Sequence, residues 1–204
     1  MSFFCKFIAS FFFLNVLIFQ ATVAATLDND FHSWLTSYKK IALEKGISQK
    51  TIDVAFKDVK FLKEVIRYDR KQPEFFEDTI TYVSKRATDS KAKKAEELLK
   101  ENMHLFNVVE NKFKVEKEIL LALWGIETHF GKHVGKMDII SSLATLSYDK
   151  RRRDFFSSQL LTLLKLIDDK LIDPNSLYGS WAGAYGNFQF MPSTIERYSI
   201  DYDN

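Results

Sequence analysis

Apolar residues recur along this chain at three- and four-residue steps, which is the spacing of one face of an α-helix. The first such stripe ends at Gly46 and consists of Phe31, Trp34, Leu35, Tyr38, Ile41 and Ala42. Ser48 can then cap a short second helix, whose apolar positions are Ile52, Ala55, Phe56 and Val59. No segment alternates apolar and polar residues clearly enough to be assigned as a strand. The pattern therefore predicts a mainly helical, all-α fold.

The middle of the chain is predicted to contain one break and one long helix. Pro73 disfavours a helix at the preceding residue, so the segment Asp69–Glu74 indicates a break. We expect a helix to restart at Glu74, and a long helix to begin at Thr88 or Asp89. The apolar positions of the long helix are Ala92, Ala95, Leu98, Leu99, Met103 and Phe106.

Two more helical patterns occupy the second half of the chain. The first begins near Glu116 and presents an apolar stripe formed by Ile119, Leu120, Leu123, Ile126 and Phe130. The second carries Phe155, Phe156, Leu160, Leu163, Leu164 and Ile167. Asp173–Asn175 interrupts the chain after it, and a last helix is expected to begin at Pro192 or Ser193.

Glu127 is the first candidate for chemistry, because it lies at the end of one of these helices. Its spacing from Trp124 places the carboxylate near the apolar face, and Gly131 is expected to be the residue just past the helix end. The negative end of the helix dipole and burial beside Trp124 and Phe130 would both raise the pKa of Glu127. A raised pKa suits a general acid near neutral pH. The alternative is a solvated Glu127, or one that is paired with a neighbouring base.

The N-terminal segment has the composition of a secretory signal. Lys6 precedes an apolar run over Phe7–Phe19, and small residues follow, so we expect cleavage after Ala24 or Ala25. Residues 1–25 are therefore assigned to a signal peptide and residues 26–204 to one domain. The alternative is an uncleaved N-terminal anchor. No stable membrane span is expected after cleavage.

Charge and cysteine content narrow the function classes. The 204-residue chain has a formal net charge of +2, and loss of Lys6 leaves 28 basic against 27 acidic residues, so the net charge becomes +1. This balance gives no reason to expect a nucleic-acid partner. The only cysteine is Cys5, so the mature chain could form neither a disulfide nor a cysteine metal site. A secreted protein without disulfides is compatible with the bacterial periplasm.

An ordered set of short motifs gives a family resemblance. The motifs are Asp69–Phe75, Gly125–Thr128 with Phe130–Gly131, Leu143–Tyr148, Arg151–Arg152, Gly179–Ala184 and Gln189–Ser193. Each motif alone is weak, but the set in this order resembles the lytic murein transglycosylase B family, bacterial enzymes that cleave peptidoglycan. The resemblance extends from about residue 30 to the end of the chain.

The resemblance implies a helical, lysozyme-like transglycosylase domain with one catalytic acid, Glu127. In such enzymes the glutamic acid protonates the glycosidic oxygen between N-acetylmuramic acid and N-acetylglucosamine. It then acts as a base toward the muramoyl C6 hydroxyl, and a 1,6-anhydromuramoyl product forms without water. This scheme differs from the usual two-carboxylate glycosidase, and it needs neither cofactor nor metal. The implied partner is the peptidoglycan glycan strand, and the implied location is the periplasm.

Three further residues are assigned to substrate binding by their positions in the motifs. Ser180 and Gln189 match residues that line the site, where a hydroxyl and an amide can orient a neutral sugar. Arg152 matches a basic residue that meets acidic parts of the strand, such as the lactyl or a peptide carboxylate. The alternatives are a helix cap for Ser180, a surface amide for Gln189 and a solvated side chain for Arg152. His129 is interpreted as a surface or supporting residue.

The chain departs from the family pattern at three places. Tyr185 stands where the family often has Met, and Asn187 stands where Gly or Gln is frequent. The chain ends at Asn204, whereas family members continue with an acidic loop and further helices, so we expect a domain that lacks the family's C-terminal part. Asp201 and Asp203 have the spacing of the first ligands of an EF-hand loop, but the distal acid is missing, so no metal site is expected.

These observations leave three hypotheses. The first is a periplasmic lytic transglycosylase that acts through Glu127, with a hydrolase that makes reducing ends as a narrower variant. The second is a catalytically inactive, truncated homologue that only binds glycan strands. The third is an unrelated secreted helical protein.

Overall fold

The computed structural model describes residues 30–72 and 76–200. Three segments lie outside the described residues. They are residues 1–29 with the predicted signal peptide, residues 73–75, and residues 201–204 with Asp201 and Asp203. The chain divides into two compact units, Met1–Gly46 and Ile47–Asn204. Among the described residues, no helix is both long and apolar enough to cross a membrane.

The described part of the first unit is one helix, α1, over residues 30–44. Phe31, Leu35, Tyr38 and Ala42 are buried, as their helical spacing predicts, whereas Ile41 is exposed. The helix is followed by Gly46, whose φ of +92° is a left-handed conformation that glycine adopts without a steric penalty.

The second unit consists of nine α-helices and one small sheet within the described residues. The helices are α2 (Gln49–Ala55), α3 (Lys63–Arg70), α4 (Thr79–Arg86), α5 (Asp89–Glu101), α6 (Met103–Phe113), α7 (Lys117–Thr128), α8 (Ile139–Tyr148), α9 (Arg153–Asp168) and α10 (Pro192–Tyr198). Two-residue strands β1 (Met137–Asp138) and β2 (Tyr178–Gly179) pair antiparallel, with Met137 opposite Gly179. A 3-10 turn covers Pro174–Ser176. The architecture is mainly helical, as predicted.

Helix α8 is the centre of the second unit. Nine consecutive residues, from Ile139 to Ser147, are buried, and α8 packs against α9 and α3. A helix that is buried all round must satisfy its polar side chains internally. Two of its hydroxyls do so by accepting backbone N–H groups, Ser141 from Lys60 at 3.1 Å and Thr145 from Leu62 at 3.0 Å. Helix α9 packs on α8, α2 and α10, so α8 and α9 form the core of this unit.

Two helices in the middle of the chain have other boundaries than the apolar spacing predicts. The predicted restart at Glu74 lies outside the described residues, but 76–78 are not helical and the next helix begins at Thr79, where the Asp78 carboxylate caps it by accepting the Thr81 N–H at 3.0 Å. Thr88 caps α5 as predicted, but the long helix breaks at Asn102, which has φ −120° and ψ 24°. The Asn102 side-chain amide donates to the Leu98 carbonyl at 3.0 Å, and such local bonds compete with helix continuation.

Candidate active site

Helix α7 buries a different face from the one that its apolar stripe predicts. Its buried residues are Leu121, Gly125 and Thr128. The predicted core positions Ile119, Leu123 and Ile126 are instead 49%, 45% and 50% exposed. Gly125 explains the choice of face, because a Cβ there would lie 2.8 Å from Cζ of Phe130. The Phe130 ring therefore folds back onto a surface that only glycine provides.

The end of α7 is a run of left-handed residues. The helix ends at Thr128, and His129, Phe130 and Gly131 follow with φ of 51°, 58° and 81°. Gly131 is therefore the third residue past the helix, not the first as predicted. The run is closed by hydrogen bonds from the Phe130 N–H to the Trp124 carbonyl at 3.2 Å and from the His133 N–H to the Thr128 carbonyl at 2.9 Å. Glu127 lies in the last turn, as predicted.

The Glu127 side chain is exposed, so the prediction that it is buried beside Trp124 and Phe130 is wrong. The reason is the orientation of α7 in the fold, in which the face with Leu123 and Ile126 points away from the core. Within the described residues, the Glu127 carboxylate has neither a hydrogen bond nor an ion pair, so the predicted alternative of a neighbouring base is not observed. The carboxylate is therefore available to a ligand.

Glu127 opens into a groove of about 560 Å³ that it shares with Gln189. One wall is the apolar face of α7, and the other comes from the loop after β2 and the end of α10. The lining residues are Leu120, Leu123, Glu127, Phe188, Gln189, Phe190, Tyr198, Ser199 and Ile200. Among the described residues that line this groove, Glu127 is the only acidic one. The structure thus brings together two residues that are 62 positions apart, Glu127 and Gln189.

Gln189 is held in a defined orientation at this groove. Its φ is 49°, and its side-chain Nε2 donates to the carbonyls of Val134 at 3.1 Å and Gly186 at 2.9 Å. Both amide hydrogens are therefore used, while Oε1 accepts no hydrogen bond from the described residues. Gln189 is not a freely moving surface amide. What it can offer a ligand is a fixed acceptor.

Ser180 lies outside the lining of the Glu127 groove. Its Oγ accepts the backbone N–H groups of Ala182 at 3.2 Å and Ala184 at 2.9 Å, so the hydroxyl organises the loop rather than capping a helix. The loop lies directly on α8, since a Cβ on Gly183 would come 2.4 Å from Cδ2 of Leu143. Small residues in this motif are explained by that close approach.

Arg152 also lies outside the Glu127 groove. It is exposed at the start of α9, and its guanidinium carbon lies 4.8 Å and 4.9 Å from the ring centroids of Phe155 and Phe156. It lines a separate groove of about 280 Å³ together with Lys150, Arg151, Arg153, Asp154 and Phe155. The two arginines of the motif differ in role, because Arg151 instead pairs with the buried Asp69 carboxylate at 3.0 Å.

A contact that the sequence analysis missed connects α7 to the loop that carries Gln189. The indole N–H of Trp124 donates to Oδ1 of Asn187 at 3.0 Å. The hydroxyl of Thr128, which is fully buried, donates to the Asn187 backbone carbonyl at 2.8 Å. The only signal in the sequence was that Asn187 departs from the family pattern.

Comparison with known proteins identifies the family. A family model described as the transglycosylase SLT domain matches residues 30–204. The chain belongs to the transglycosylase SLT domain family. The predicted family resemblance and the predicted helical, lysozyme-like fold are thereby confirmed.

Individual relatives cover different shares of this SLT domain. The domain is 43% identical to the membrane-bound lytic murein transglycosylase B of Escherichia coli K12 over 91 residues. These residues are 44% of this chain and 25% of that protein. The SltB3 structure from Pseudomonas aeruginosa in complex with NAG-NAM-pentapeptide superposes with a TM-score of 0.81 at 33% identity, over 85% of this chain and 46% of that chain. An Escherichia coli lytic transglycosylase in complex with bulgecin A gives 0.70 at 27% identity, over 86% and 55%. The chain thus spans about a quarter to about half of these relatives.

The charges around the end of α7 in this SLT domain are mostly positive. His129 stacks on His133 with ring centroids 5.7 Å apart. Burial, and then the nearby charges of Lys132, Lys91 and His133, lower the pKa of His129. A neutral imidazole is the favoured form in such surroundings.

Within the described residues, no group of three or more metal-ligating side chains is present.

Proposed function

We propose that this SLT domain has peptidoglycan lytic transglycosylase activity, with Glu127 as its acid and base. The observation that carries the proposal is the groove that Glu127, at a helix end, lines together with the fixed amide acceptor of Gln189. Family membership and the relatives named as murein transglycosylases support the same reaction class. The SltB3 complex with NAG-NAM-pentapeptide supports a glycan strand as the ligand.

The proposed first step is proton transfer from Glu127 to the glycosidic oxygen between N-acetylmuramic acid and N-acetylglucosamine. The bond between C1 and this oxygen breaks, and its electron pair leaves with the oxygen. The acetamido group of the muramoyl sugar stabilises the cationic C1. A single acid can suffice because the substrate supplies the second stabilising group, unlike the usual pair of carboxylates.

The proposed second step uses the carboxylate that the first step has produced. Glu127 takes the proton of the muramoyl C6 hydroxyl, and the C6 oxygen bonds to C1. The product is a 1,6-anhydromuramoyl end, and Glu127 is protonated again. No water is consumed.

The other predicted binding residues take different roles in this proposal. Gln189 accepts a hydrogen bond from the sugar through Oε1. Ser180 acts indirectly, because its hydroxyl shapes the loop that precedes Gln189. Arg152 meets a lactyl or peptide carboxylate from the separate groove of about 280 Å³. We place the reaction in the periplasm, on the composition of residues 1–25.

The test is mass spectrometry of purified peptidoglycan after incubation with the chain, expressed with its own N-terminal segment. We expect anhydromuramoyl ends with the wild type and their loss with Glu127→Gln, by roughly a thousandfold or more in rate. Glu118→Gln is a matched control, because Glu118 is an exposed glutamate on the same helix, outside the groove with Gln189. Reducing ends would instead establish a hydrolase. Intact strands that are bound by the folded chain would establish the binding-only alternative.

A further inference from the structure

We propose that Asn187 is a positioning residue that sets the Glu127 carboxylate relative to Gln189. The inference rests on the proposed function and concerns the same groove. Asn187 takes one hydrogen bond from Trp124 through its side-chain oxygen, at 3.0 Å, and one from Thr128 through its backbone carbonyl, at 2.8 Å. We call these three residues the Asn187 clamp.

The clamp holds α7 on both sides of Glu127. Trp124 precedes Glu127 by three residues, about one helical turn, and Thr128 follows it directly. Both donors therefore belong to the turn that carries the carboxylate. Because both donate to the same residue, a shift of Asn187 shifts the whole turn.

The opposite end of the clamp is a hydrogen-bonded turn that carries Gln189. Tyr185 and Phe190 exchange backbone hydrogen bonds of 2.9 Å and 3.1 Å, and the Gln189 N–H donates to Gly186 at 3.2 Å. Asn187 lies inside this turn, two residues before Gln189. Glu127 and Gln189, which belong to different segments, are thereby both positioned by one residue.

The clamp also contacts the left-handed end of α7. The Thr128 hydroxyl accepts the Gly131 N–H at 3.0 Å while it donates to Asn187. A Cβ on Gly131 would lie 2.8 Å from Oδ1 of Asn187, at a φ of +81°. Consecutive left-handed residues persist only where surrounding contacts hold them. The clamp supplies such contacts directly after Glu127.

The position of Asn187 separates a positioning role from a general effect on stability. Asn187 is exposed, so truncation of its side chain leaves the core intact, and the variant is expected to fold. The rate of proton transfer depends on geometry more strongly than the stability of the fold does, since a misplacement of about 1 Å can lower the rate by about a hundredfold. The clamp should therefore act on turnover more than on folding.

The test is the steady-state kinetics of anhydromuramoyl product formation with purified glycan strands. Asn187→Ala is expected to lower kcat roughly tenfold to a hundredfold and to change KM less than about twofold. Asn187→Asp keeps the acceptor oxygen and should retain most of the wild-type kcat. Trp124→Phe removes the donor but keeps a ring. It should cause a loss that is not additive with Asn187→Ala, because both variants break the same bond.

Two further measurements make the result decisive. The matched control is Asn175→Ala, which should leave kcat unchanged, because among the described residues Asn175 bonds only to Asp173 in the turn after α9. In a ¹⁵N–¹H spectrum, the Trp124 indole N–H, assigned with Trp124→Phe, should shift in Asn187→Ala and remain in Asn187→Asp.

The outcomes separate this inference from the proposed function. A wild type that makes no anhydromuramoyl ends overturns the proposed function, and this inference with it. An active wild type with an equally active Asn187→Ala overturns the inference alone. Losses of kcat that are additive in the double variant, or a change in KM without a change in kcat, also overturn it.

Discussion

Helices α8 and α9 differ from helices α4, α5 and α6 in how completely they bury their apolar residues. Nine consecutive residues of α8 are buried, whereas no residue of α4, α5 or α6 is buried. The first pair is covered on several sides by α2, α3 and α10. In the second group, α5 and α6 pack on each other and on α7. Similar apolar patterns therefore contribute different amounts to the stability of the fold, because only apolar surface that another element covers is removed from water.

Helix α7 lies between the two regions. It packs on α5 and α6, and the clamp connects its last turn to the loop that lies on α8. Glu127 is thus located where a well-packed core meets a lightly packed group of helices. Sites of chemistry are often found at such boundaries, where a rigid scaffold holds an accessible side chain.

The largest expected effect on stability contrasts one residue from each region. Leu143→Ala in α8 removes a fully buried side chain and should lower the free energy of unfolding by about 2–5 kcal/mol. Ile80→Ala in α4, where the side chain is 82% exposed, should change it by less than about 0.5 kcal/mol. Urea denaturation of both variants gives the comparison. Equal losses would show that α4 is covered in solution, and the contrast between the two regions would then be wrong.

A pair of glycines in the loop on α8 gives an intermediate effect. Gly183→Ala would place a Cβ 2.4 Å from the Leu143 side chain at a φ of +88°, so we expect a loss of roughly 2–4 kcal/mol. Gly186→Ala has a φ of +76° but nothing within 4 Å, so only backbone strain of about 1 kcal/mol should remain. Thermal unfolding of both variants measures the difference. A larger loss for Gly186→Ala would refute close packing of the loop on α8.

The smallest expected effect is a pH dependence at the end of α9. Hydrogen bonds from the Ser48 hydroxyl, the Thr51 hydroxyl at 2.6 Å and the Ser48 N–H at 3.1 Å lower the pKa of Asp168. A carboxyl whose pKa is lower when folded stabilises the protein above its unfolded pKa. That contribution is lost as the pH falls from about 4 through the folded pKa.

Asp168→Asn should therefore lose stability at neutral pH and show a shallower fall of stability below about pH 4. Urea denaturation at pH 7 and pH 3 checks this. Asp53→Asn, on α2, is a suitable control, because within the described part of the chain the Asp53 side chain bonds only to Gln49 on its own helix. An unchanged slope in Asp168→Asn would show that the Ser48 and Thr51 bonds are absent in solution.

Several elements could be predicted because they depend on nearby residues. Ser48 and Thr88 cap their helices as expected, and Pro192 begins α10. Other boundaries were missed for equally local reasons: the Asp78 cap and the Asn102 side chain each offered a bond that outweighed continuous apolar spacing. In these cases the competing signal was present in the sequence but had no unique interpretation.

The candidate site was only partly predictable. Glu127 lies in the last turn of its helix as expected, and Gln189 reaches the same groove. The burial of Glu127 was predicted wrongly, since periodicity identifies an apolar face without saying whether another element covers it. Ser180 and Arg152 match the family motifs but lie outside the lining of that groove, so their roles stay predictions.

The sequence by itself determined the helical class, the caps at Ser48 and Thr88, the family and the place of Glu127 at a helix end. The class, the caps and the helix end depend on residues within a few turns, and the family depends on the order of short motifs along the chain. Only the tertiary structure decided which face of α7 is buried and which residues share a groove. The bonds that decide this join residues far apart, such as Trp124 and Asn187 at a separation of 63 and Asp69 and Arg151 at 82. Local propensity contains no information on such pairs, because packing against other elements selects them.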